Sequence, residues 1–463
     1  MSFPKNFIWG VAAAAYQIEG AARKDGKGAS IWDVFCKKPD AIWSGHTGDV
    51  ACDHYHRYKD DIKLMRQLGV KAYRLSLSWP RLIPGGTGAV NQKGVDFYNQ
   101  LIDELLANKI EPYVTLFHWD YPYELFCRGG WLNNDSPDWF ADYTRVAVEK
   151  FSDRVKHWMT LNEPNGFVWA GHQMGIHAPG LTLGPTELLR VTHNVLLSHG
   201  KAVQVIRSAA PKNSTVDFVL SGGGVKIPAS HKKADVEAAR KATFSIQNAK
   251  SESAFKMGEF WWLDPVYLGH YPAEGMAAFE PWLPEIKAGD MQLISQPLDH
   301  FCVNIYQGER VRINAQGQTE PAPLPVGAPL ISADKVFKWP LTPEALYWGP
   351  RFYYERYRKP ILISENGMGS ITDWVAVDGR VHDAARVDFL HRYLAALKQA
   401  CADGVDVRGY FQWSILDNFE WSAGYKERFG LVHVDYQTQT RTLKDSAHFY
   451  KKVIVSNGGS LNS

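Results

Sequence analysis

The sequence predicts an α/β protein built as a single (β/α)8 barrel (TIM barrel) with long βα loops, forming one domain over residues 1–463. Two observations lead to this prediction. Short apolar segments alternate along the chain with amphipathic helical segments, which is the pattern of a parallel sheet with crossover helices. We count eight such apolar segments, and no linker, repeat or low-complexity tract divides them into groups. Eight β/α units are the number that closes a barrel.

Each predicted strand is a short apolar run bounded by polar residues, glycine or proline. The eight runs lie at residues 7–14, 72–79, 111–118, 157–162, 216–221, 300–306, 360–364 and 407–414. The first run follows Lys5 and ends in small residues, which is the outline of a secretion signal. Trp9 and Gly10 in its middle are atypical of such signals, so we interpret the run as a buried strand. The rest of the chain has no apolar stretch of about eighteen residues, and no membrane partner is expected.

The segments between the strands repeat apolar residues at three- and four-residue spacings, as amphipathic helices do. Helices are predicted at residues 58–68, 95–107, 140–151, 186–208 and 383–401. Residues 311–340 are rich in proline, glycine and polar side chains, so we predict a long loop before the seventh strand. Loops of this length usually lie over a functional site.

The overall composition excludes several classes of protein. Hydrophobic residues make up 45% of the chain and charged residues 22%, which excludes disorder, collagen-like repeats and coiled coils. The 51 basic and 49 acidic residues leave a net charge of +2, so no nucleic-acid partner is expected. The chain has 17 Trp, 21 Tyr and 22 Phe, which is more aromatic surface than a core needs. Such flat apolar faces favour a ligand that alternates CH faces and hydroxyls, as a sugar does.

The cysteines indicate a reducing environment. They are Cys36, Cys52, Cys127, Cys302 and Cys401. Their number is odd and no two are spaced as C-x-x-C, so neither a disulfide framework nor a zinc ribbon is predicted. We therefore expect a cytoplasmic protein, in which the Asn213-Ser214-Thr215 sequon has no role.

Polar and aromatic residues lie at the ends of seven of the eight predicted strands. They are Gln17, Arg74, His118, Trp119, Asn162, Glu163, Asn304, Tyr306, Glu365, Asn366 and the segment 413–421. The carboxyl ends of the strands form one face of a (β/α)8 barrel, so these residues are expected to converge there. Taken singly, a Glu after a strand more often serves a helix N-terminus, and a Trp more often belongs to the core. The repetition at seven strand ends predicts an active site.

Two carboxylates stand out on this face, Glu163 and Glu365. Pro164 prevents Glu163 from continuing a regular strand, and Asn366-Gly367 permits a tight turn after Glu365, so both side chains are expected on the rim. Glycoside hydrolysis requires a pair of carboxyl groups that flank the bond to be broken. One protonates the leaving oxygen, and the other attacks the anomeric carbon or activates water.

Four motifs occur in order along the chain. They are Asn162-Glu163-Pro164, Ser364-Glu365-Asn366-Gly367, an opening F-x-W-G-x-A…YQIEG segment at 7–20 and a closing RFGL-x-x-VDY segment at 428–436. Together they resemble glycoside hydrolase family 1, the β-glucosidase family, and the match runs from Phe3 to about Val453. The resemblance implies hydrolysis with retention through a covalent glycosyl-enzyme intermediate. It implies Glu365 as nucleophile, Glu163 as acid/base, and no cofactor.

The resemblance also implies how the substrate binds. Asn162 matches the residue that binds the sugar 2-hydroxyl, and Trp413 matches the floor of the sugar site. The residues that match the positions binding the other hydroxyls are Gln17, His118, Trp119, Glu420 and Trp421. Trp339 matches an aromatic platform for the leaving group, the aglycone. Phe429 belongs to the substrate-binding set, and Asn304 matches a residue that supports the site around the nucleophile.

Two residues are expected to act on Glu365 directly. Arg74 supplies a positive charge and Tyr306 a hydrogen bond, and both should lower the pKa of the Glu365 carboxyl. Glu163 has only the neutral Asn162 beside it in the sequence. Its pKa is expected to be raised when sugar is bound, because an acid catalyst must start protonated.

The expected substrate is a small-molecule β-glucoside or cello-oligosaccharide without phosphate, with β-fucosides and β-galactosides as lesser substrates. A 6-phospho-β-glycosidase of the same family is the first alternative. Its members present a Ser, a Lys and a Tyr to the phosphate, where this chain has Glu420, Glu427 and Phe429. A catalytically inactive sugar-binding module is the second alternative, and the intact Glu163 and Glu365 argue against it. A homo-oligomeric state is left open.

Three other motifs fail to indicate a metal or cofactor site. Asp53-His54-Tyr55-His56 contains H-x-H, but a helix follows directly and no strand precedes it, so we interpret it as helix capping and packing. Lys27 lacks the flanking residues of a P-loop, and the glycines at 222–224 do not complete G-x-G-x-x-G. Neither a metal nor a dinucleotide is therefore predicted.

The chain departs from the family pattern near the expected aglycone site. Asn165 stands where many members place an aromatic residue, and Ala170 is small. One wall of the outer pocket is therefore expected to be wider or more polar. Residues 121–127 (YPYELFC) are also atypical and are expected to add aromatic rings near His118 and Trp119.

Overall fold

A closed barrel of eight parallel strands forms the centre of the molecule. The computed structural model describes residues 2–246, 255, 257–324, 329–333 and 338–462. The strands are β1 (Ile8–Ala12), β2 (Ala72–Ser76), β3 (Glu111–Phe117), β4 (His157–Asn162), β5 (Thr215–Ser221), β6 (Phe301–Asn304), β7 (Ile361–Asn366) and β8 (Val407–Trp413). Each strand pairs with its neighbours in sequence, and β1 pairs with β8 to close the barrel. The predicted (β/α)8 barrel and its eight strands are confirmed.

The strands are buried on both faces, which explains why they read as continuous apolar runs. A separate cluster of buried side chains includes residues from all eight strands and fills the inside of the barrel. Its strand residues are Ala12, Ala72, Tyr113, Met159, Val219, Cys302, Leu362, Phe411 and Trp413. Large and small side chains alternate there, and a Cβ at Gly10 would lie 2.3 Å from the Phe411 ring. Glycine at position 10 therefore leaves the space that Phe411 occupies.

Eight principal helices surround the barrel. They are α1 (His54–Leu68), α2 (Gln92–Ala107), α3 (Ser136–Phe151), α4 (Pro185–Ala209), α5 (Glu259–Leu268), α6 (Ala345–Tyr357), α7 (Ala384–Ala402) and α8 (Asp445–Val455). The five predicted helices are confirmed as α1, α2, α3, α4 and α7. Three of them, α1 to α3, begin three or four residues earlier than predicted, because their first turns are largely polar and lie outside the apolar repeat. Among the described residues, no helix combines the length and apolarity needed to cross a membrane.

Further helices, most of them short, occupy the connections between strands and principal helices. They are Ala15–Ile18, Ile31–Phe35, Trp79–Leu82, Tyr123–Cys127, Pro164–Val168, Lys233–Thr243, Ala273–Phe279 and Asp290–Ile294. Most of them lie in the long βα connections that follow the carboxyl ends of the strands, on the face where the polar strand-end residues emerge.

The predicted long loop at 311–340 contains short strands. Glu309–Ile313 lies between Lys226–Pro228 and Thr319–Pro321 in a three-stranded sheet, and Leu330–Ala333 pairs with Lys338–Pro340. The prediction of a long loop is therefore wrong for these pieces. Proline and glycine dominate the composition of the region, but runs such as Glu309–Ile313 alternate polar and apolar residues, which suits a half-buried strand.

The H-x-H motif lies within the first turn of α1 rather than at its predicted place directly before the helix, and its side chains pair with aspartates. His54 Nδ1 lies 2.7 Å from Asp61 Oδ2, and both residues are buried. His56 Nδ1 lies 2.5 Å from Asp53 Oδ1. The packing part of the interpretation is confirmed, whereas the capping part is wrong. Asp53 makes no side-chain hydrogen bond to the helix backbone, because its carboxylate binds His56 and Arg57 instead.

A buried ionic network joins the connection after β7 to the connection after β8. Lys444 Nζ lies 2.5 Å from Asp373 Oδ2 and 2.7 Å from Asp417 Oδ1, with all three side chains almost fully buried. Arg386 also contacts Asp373, at 2.7 Å, and Arg428 contacts Asp417, at 2.8 Å. Because Lys444 is shared, loss of its ammonium would leave two carboxylates with one cation fewer in a region that excludes water.

We expect Lys444→Met to lower the free energy of unfolding by about 3–5 kcal/mol, the typical cost of breaking a buried ion pair. Urea titration followed by tryptophan fluorescence measures this change. Lys63→Met is the matched control, because Lys63 pairs with Asp60 on the surface and should contribute less than about 1 kcal/mol. A loss for Lys444→Met no larger than that of the control would contradict the assigned role.

Candidate active site

The polar strand ends converge on a cavity of about 390 Å³ at the carboxyl end of the barrel. The predicted site residues that line it are His118, Trp119, Asn162, Glu163, Tyr306, Trp339, Glu365, Trp413, Glu420, Trp421 and Phe429. Gln17, Arg74 and Asn304 lie behind this lining and contact it through hydrogen bonds. The structure thus brings these fourteen residues together. Asn366, which was also expected among them, does not line the cavity and instead donates to the Ile305 backbone oxygen at 2.7 Å.

Arg74 is a buried side chain of β2 that reaches across the barrel mouth. Its Nη1 contacts Glu365 Oε1, and its Nη2 donates a hydrogen bond of 2.6 Å to Asn162 Oδ1. Nη1 also lies 3.4 Å from the backbone oxygen of Ser364. One guanidinium therefore connects the ends of β2, β4 and β7 and holds the Glu365 carboxylate in a fixed position.

Tyr306 binds the second oxygen of the Glu365 carboxylate. Its hydroxyl donates a hydrogen bond of 2.7 Å to Glu365 Oε2. The Tyr306 ring packs against Trp339, with 4.9 Å between ring centroids, and its backbone oxygen accepts a hydrogen bond from the Tyr393 hydroxyl. Both oxygens of Glu365 thus have a partner, one cationic and one neutral.

Asn304 lies between the two carboxyl groups. Its Nδ2 donates to Glu163 Oε1 at 2.7 Å and to Asn162 Oδ1 at 3.1 Å, while its Oδ1 accepts from the Ser364 hydroxyl at 2.7 Å. The sequence assigned Asn304 to the surroundings of Glu365 alone. The hydrogen bond to Glu163 was not predicted, because it depends on how the ends of β4 and β6 meet.

The backbone turns sharply at Glu163. Strand β4 ends at Asn162, and Glu163 adopts a left-handed conformation with φ of 47° before Pro164 begins a short helix. This agrees with the expected effect of Pro164. After Glu365, the predicted tight turn at Asn366-Gly367 is wrong, because β7 continues through Asn366. Glycine is needed at 367 for a close approach, since a Cβ there would lie 1.8 Å from the Trp413 carbonyl oxygen.

The two carboxyl groups differ in their electrostatic surroundings. Burial and the charge of Glu365 raise the pKa of the Glu163 carboxyl to about 8. Burial raises the pKa of the Glu365 carboxyl as well, so the expected lowering is wrong for the net direction. Arg74 and Tyr306 do oppose that rise, as predicted. Because Arg74 contacts Glu365 and not Glu163, Glu365 holds the negative charge of the pair and Glu163 holds the proton.

Aromatic and amide groups form one wall of the cavity. Trp119 Nε1 donates to the backbone oxygen of Asn162 at 2.9 Å, and the Trp119 ring stacks on Trp421 with 4.6 Å between centroids. His118 Nε2 lies 3.0 Å from Asn162 Nδ2, and its ring stacks on Trp413. Burial and Arg74 hold the pKa of His118 well below its ordinary value, so its ring is neutral and can exchange hydrogen bonds with hydroxyls.

Glu420 and Gln17 form the opposite end of the same wall. Gln17 Nε2 lies 2.8 Å from the Phe419 backbone oxygen and 3.4 Å from Glu420 Oε2. Gln17 Oε1 is buried and has no partner among the described residues. Burial, Glu365 and Glu427 raise the pKa of Glu420 to about 8. These acceptors are suited to hydroxyl donors from a ligand.

The residues of the cavity lining that the sequence missed include Trp169, Gln173 and His177. They lie four residues apart in the segment after Glu163, and that spacing of aromatic and polar residues was the available signal. The small Ala170 also lines the cavity, as expected for a wider outer pocket. Tyr121, in the atypical segment 121–127, instead packs in the core against Trp131.

Comparison with known proteins agrees with this geometry. The family model described as Glycosyl hydrolase family 1 matches residues 1–459. The chain belongs to glycosyl hydrolase family 1. It is 43% identical over 460 residues to Beta-glucosidase A of Thermotoga maritima, covering 98% of each chain, and 44% identical to Beta-glucosidase A of Acetivibrio thermocellus, covering 99% of each. The resemblance inferred from the four motifs is confirmed.

Solved structures of this family have the same fold. The Thermotoga maritima beta-glucosidase in complex with glucoimidazole matches with a TM-score of 0.87 at 42% identity, covering 99% of both chains. The complex of that enzyme with deoxynojirimycin matches equally well, with a TM-score of 0.87. Since the match covers the whole barrel, the loops that carry the cavity-lining residues of this family 1 chain fall within it.

The electrostatic coupling between Glu163 and Glu365 can be measured. We expect Glu365→Gln to lower the pKa of Glu163, because the substitution removes a negative charge while the burial of Glu163 persists. Carbon-13 NMR titration of glutamate side-chain carboxyls provides the measurement. Glu149→Gln, at an exposed position of α3, is the control and should leave the Glu163 titration unchanged. An unchanged or increased pKa in Glu365→Gln would show that the two groups are not coupled.

Proposed function

We propose that this family 1 glycosyl hydrolase is a retaining β-glucosidase that releases terminal β-D-glucose from small-molecule β-glucosides and cello-oligosaccharides. The observation that carries the proposal is the pair of carboxyl groups that line one cavity, of which only Glu365 contacts a cation. The names of the relatives support it, since the proteins compared above are called beta-glucosidases. A solved relative also binds glucoimidazole and deoxynojirimycin, according to the titles of its structures.

The proposed reaction has two steps. The ionised Glu365 attacks the anomeric carbon while Glu163 gives its proton to the leaving oxygen, which yields a covalent glycosyl-enzyme. Glu163, now ionised, removes a proton from water, and the water oxygen displaces Glu365 from the anomeric carbon. Esterification removes the charge of Glu365 and thereby one cause of the raised pKa of Glu163. This change favours the switch of Glu163 from acid to base.

The residues around the two carboxyls are proposed to hold the sugar. Asn162 is fixed by Arg74 and Asn304, so its amide is oriented for the 2-hydroxyl next to the reacting carbon. The proposed partners of the remaining hydroxyls are Gln17, His118, Trp119, Glu420 and Trp421, with Trp413 as the floor and Phe429 beside it. Trp339 packs on Tyr306 and is proposed to stack on the aglycone.

Glu420 and Glu427 argue for substrates without phosphate. Glu420 lines the cavity, and Glu427 is buried. The charge of Glu427 is one of the causes of the raised pKa of Glu420. A phosphate on the sugar 6-position would meet these carboxyls. An ionised carboxylate would repel it, since like charges about 4 Å apart cost about 4 kcal/mol near a protein surface, and Glu420, with a pKa of about 8, would have to stay protonated. Phe429 offers no phenol hydroxyl to compensate. β-Fucosides and β-galactosides are proposed as lesser substrates, because they still present hydroxyls without added charge.

We further propose that residues 1–463 form a single catalytic domain that acts in the cytoplasm without a metal or other cofactor. The cysteines support the location, since all five are free thiols, and four of them are at least partly buried. The site supports the chemistry, since Glu163, Glu365 and Arg74 supply the acid, the nucleophile and the compensating charge. This proposal holds for any oligomeric state of the chain.

The two carboxyls should respond differently to removal and to azide. We expect Glu365→Ala to abolish turnover of all glucosides. Glu163→Ala should lose about 10²–10⁴-fold in kcat for poor leaving groups, but should retain the first step for 2,4-dinitrophenyl β-glucoside, whose leaving group needs no proton. Azide should restore Glu163→Ala and give the β-glucosyl azide, whereas Glu365→Ala with azide should give the α-anomer. NMR of the isolated azides distinguishes the two products.

The unmodified enzyme is the reference for that experiment. Its first product should be β-glucose, observed by NMR before the anomers equilibrate, because a double displacement retains configuration. If α-glucose appears first, the retaining mechanism is wrong. If the azide anomers are reversed between the two variants, the roles of Glu163 and Glu365 are exchanged.

The preference for unphosphorylated sugars can be tested by comparing 4-nitrophenyl β-glucoside with its 6-phosphate. We expect kcat/KM for the plain glucoside to exceed that for the phosphate by at least about 100-fold, which corresponds to about 2.7 kcal/mol. The triple variant Glu420→Ser, Glu427→Lys, Phe429→Tyr should reduce this ratio, because it replaces two carboxyls with phosphate donors. Equal or higher kcat/KM for the phosphate in the unmodified enzyme would contradict the proposed substrate class.

A further inference from the structure

The lining of the active-site cavity is strongly acidic. Among the described residues that form it, glutamates outnumber lysines five to one. The lysine is Lys226, and its Nζ lies 2.6 Å from Glu309 Oε2, so its charge is already neutralised. Hydrolysis of a neutral glucoside requires only two carboxyl groups, and more are present here than that reaction uses. The five glutamates are Glu163, Glu259, Glu309, Glu365 and Glu420.

Glu420 lies at the end of the sugar site where carbon 6 of the sugar is expected. Asn162 is proposed to bind the 2-hydroxyl, and carbons 2 and 5 are opposite members of the sugar ring. Carbon 6, which carbon 5 carries, therefore points away from Asn162. Glu420 and Gln17 form the other end of the wall, with 3.4 Å between Gln17 Nε2 and Glu420 Oε2. Within the described part of the chain, Glu420 forms no ion pair.

A second carboxyl group, that of Glu427, is buried behind this end of the cavity. A Cβ on Gly369 would lie 2.5 Å from Glu427 Oε2 and 2.9 Å from the Phe429 ring, so glycine there leaves space for both side chains. Phe429 lines the cavity, and the charge of Glu427 acts on Glu420. Glu427 therefore adds negative charge at the carbon-6 end of the sugar site.

The other end of the sugar site contains a cation. The Arg74 guanidinium donates a hydrogen bond of 2.6 Å from Nη2 to Asn162 Oδ1, beside the expected position of the 2-hydroxyl. A positively charged substituent on carbon 2 would find the nearby Glu365 carboxylate already paired with Arg74. The same substituent on carbon 6 would meet Glu420, which has no such partner among the described residues. The two ends of the sugar site therefore differ in their capacity for a cation.

Several groups face Glu420 and determine its protonation. Burial and the charges of Glu365, Glu427 and Glu163 raise the pKa of its carboxyl to about 8. A hydrogen bond from the Trp413 side chain opposes this rise. A bound ammonium would displace the proton of Glu420 to solvent, because an adjacent positive charge favours the carboxylate. The exchange of one proton for one ammonium leaves the total charge of the cavity unchanged.

We propose that the carbon-6 end of the sugar site accepts β-glucosides that carry a primary ammonium in place of the 6-hydroxyl, with Glu420 accepting hydrogen bonds from it and Glu427 adding to the attraction. An ammonium is close to a hydroxyl in size and has three N–H donors. This inference rests on the proposed β-glucosidase function and extends its substrates to 6-amino-6-deoxy-β-glucosides. The bond broken is the same glycosidic bond, and Glu163 and Glu365 act on it as in the proposed reaction.

The test measures how methyl glycosides inhibit the hydrolysis of 4-nitrophenyl β-glucoside. The ammonium preference is the Ki of methyl 6-deoxy-β-glucoside divided by the Ki of methyl 6-amino-6-deoxy-β-glucoside. We expect a preference of at least about tenfold at pH 8, the gain from a hydrogen bond between charged groups. The preference should fall at least about fivefold from pH 8 to pH 6, because the proton of Glu420 must then be removed. Titration of Glu163 affects both ligands and cancels in the ratio.

Two further comparisons locate the effect at the carbon-6 end. At pH 7, methyl 2-amino-2-deoxy-β-glucoside should bind no better than methyl 2-deoxy-β-glucoside, because Arg74 already pairs with the carboxylate near carbon 2. Glu427→Gln removes one charge and should lower the ammonium preference by about three- to tenfold. Glu149→Gln is the matched control, because it removes the same charge at an exposed position of α3 and should leave the preference unchanged.

The unmodified enzyme decides the main question. If the 6-ammonium glycoside binds no better than the 6-deoxy glycoside at pH 8, the proposal is overturned. An equal gain from an ammonium at carbon 2 would also overturn it, because charge alone would then explain the binding. Tight binding without hydrolysis of 4-nitrophenyl 6-amino-6-deoxy-β-glucoside would overturn the substrate class, and equal preferences in Glu427→Gln and the control would overturn the role of Glu427. Absence of turnover of 4-nitrophenyl β-glucoside would instead overturn the proposed function.

Discussion

The contact between the Arg74 guanidinium and the Glu365 carboxylate is the constraint on which the site depends. The two residues are 291 positions apart, and both are buried. Removing a guanidinium and a carboxylate from water is costly unless each has several well-placed partners. Arg74 finds them in Glu365, Asn162 and the Ser364 carbonyl, which come from β4 and β7. Only a closed barrel brings these strand ends within reach of β2, so the fold and the site are stabilised by the same arrangement.

The charge of Glu365, which Arg74 holds in place, also acts on the remaining carboxyls of the cavity. Glu163 and Glu420 share the cavity with Glu365, and the pKa of each is raised to about 8 by burial and by the charge of Glu365. With Arg74 directed at Glu365, neither of the other two groups contacts a cation among the described residues. A bound sugar changes this balance, because its hydroxyls donate hydrogen bonds to carboxylates without adding charge. Three carboxyls around one guanidinium therefore suit a neutral ligand with several hydroxyls.

The barrel and the two carboxyls were predictable because their signals are local. Each strand is buried on both faces and reads as an apolar run, and Glu163 and Glu365 directly terminate such runs. The unpredicted features depend on distant parts of the chain. Asn304 reaches Glu163 across two strands, and Gly367 is required by the Trp413 carbonyl rather than by a turn. The starts of α1 to α3 could not be predicted because the first turns of these helices are polar. The short strands after Glu309 could not be predicted because proline and glycine dominate the composition of that region.

The two ends of the cavity are built from different kinds of structure. The sugar end consists of residues at strand ends, whose positions are fixed by the closure of the barrel. The outer end includes Lys226, Thr243 and Glu259 from the insertion between β5 and β6, which packs on the barrel without closing it. The contacts of Arg74 with Glu365, Asn162 and the Ser364 carbonyl involve none of these residues. Selection of the leaving group can change within this architecture while the geometry of bond cleavage stays constant.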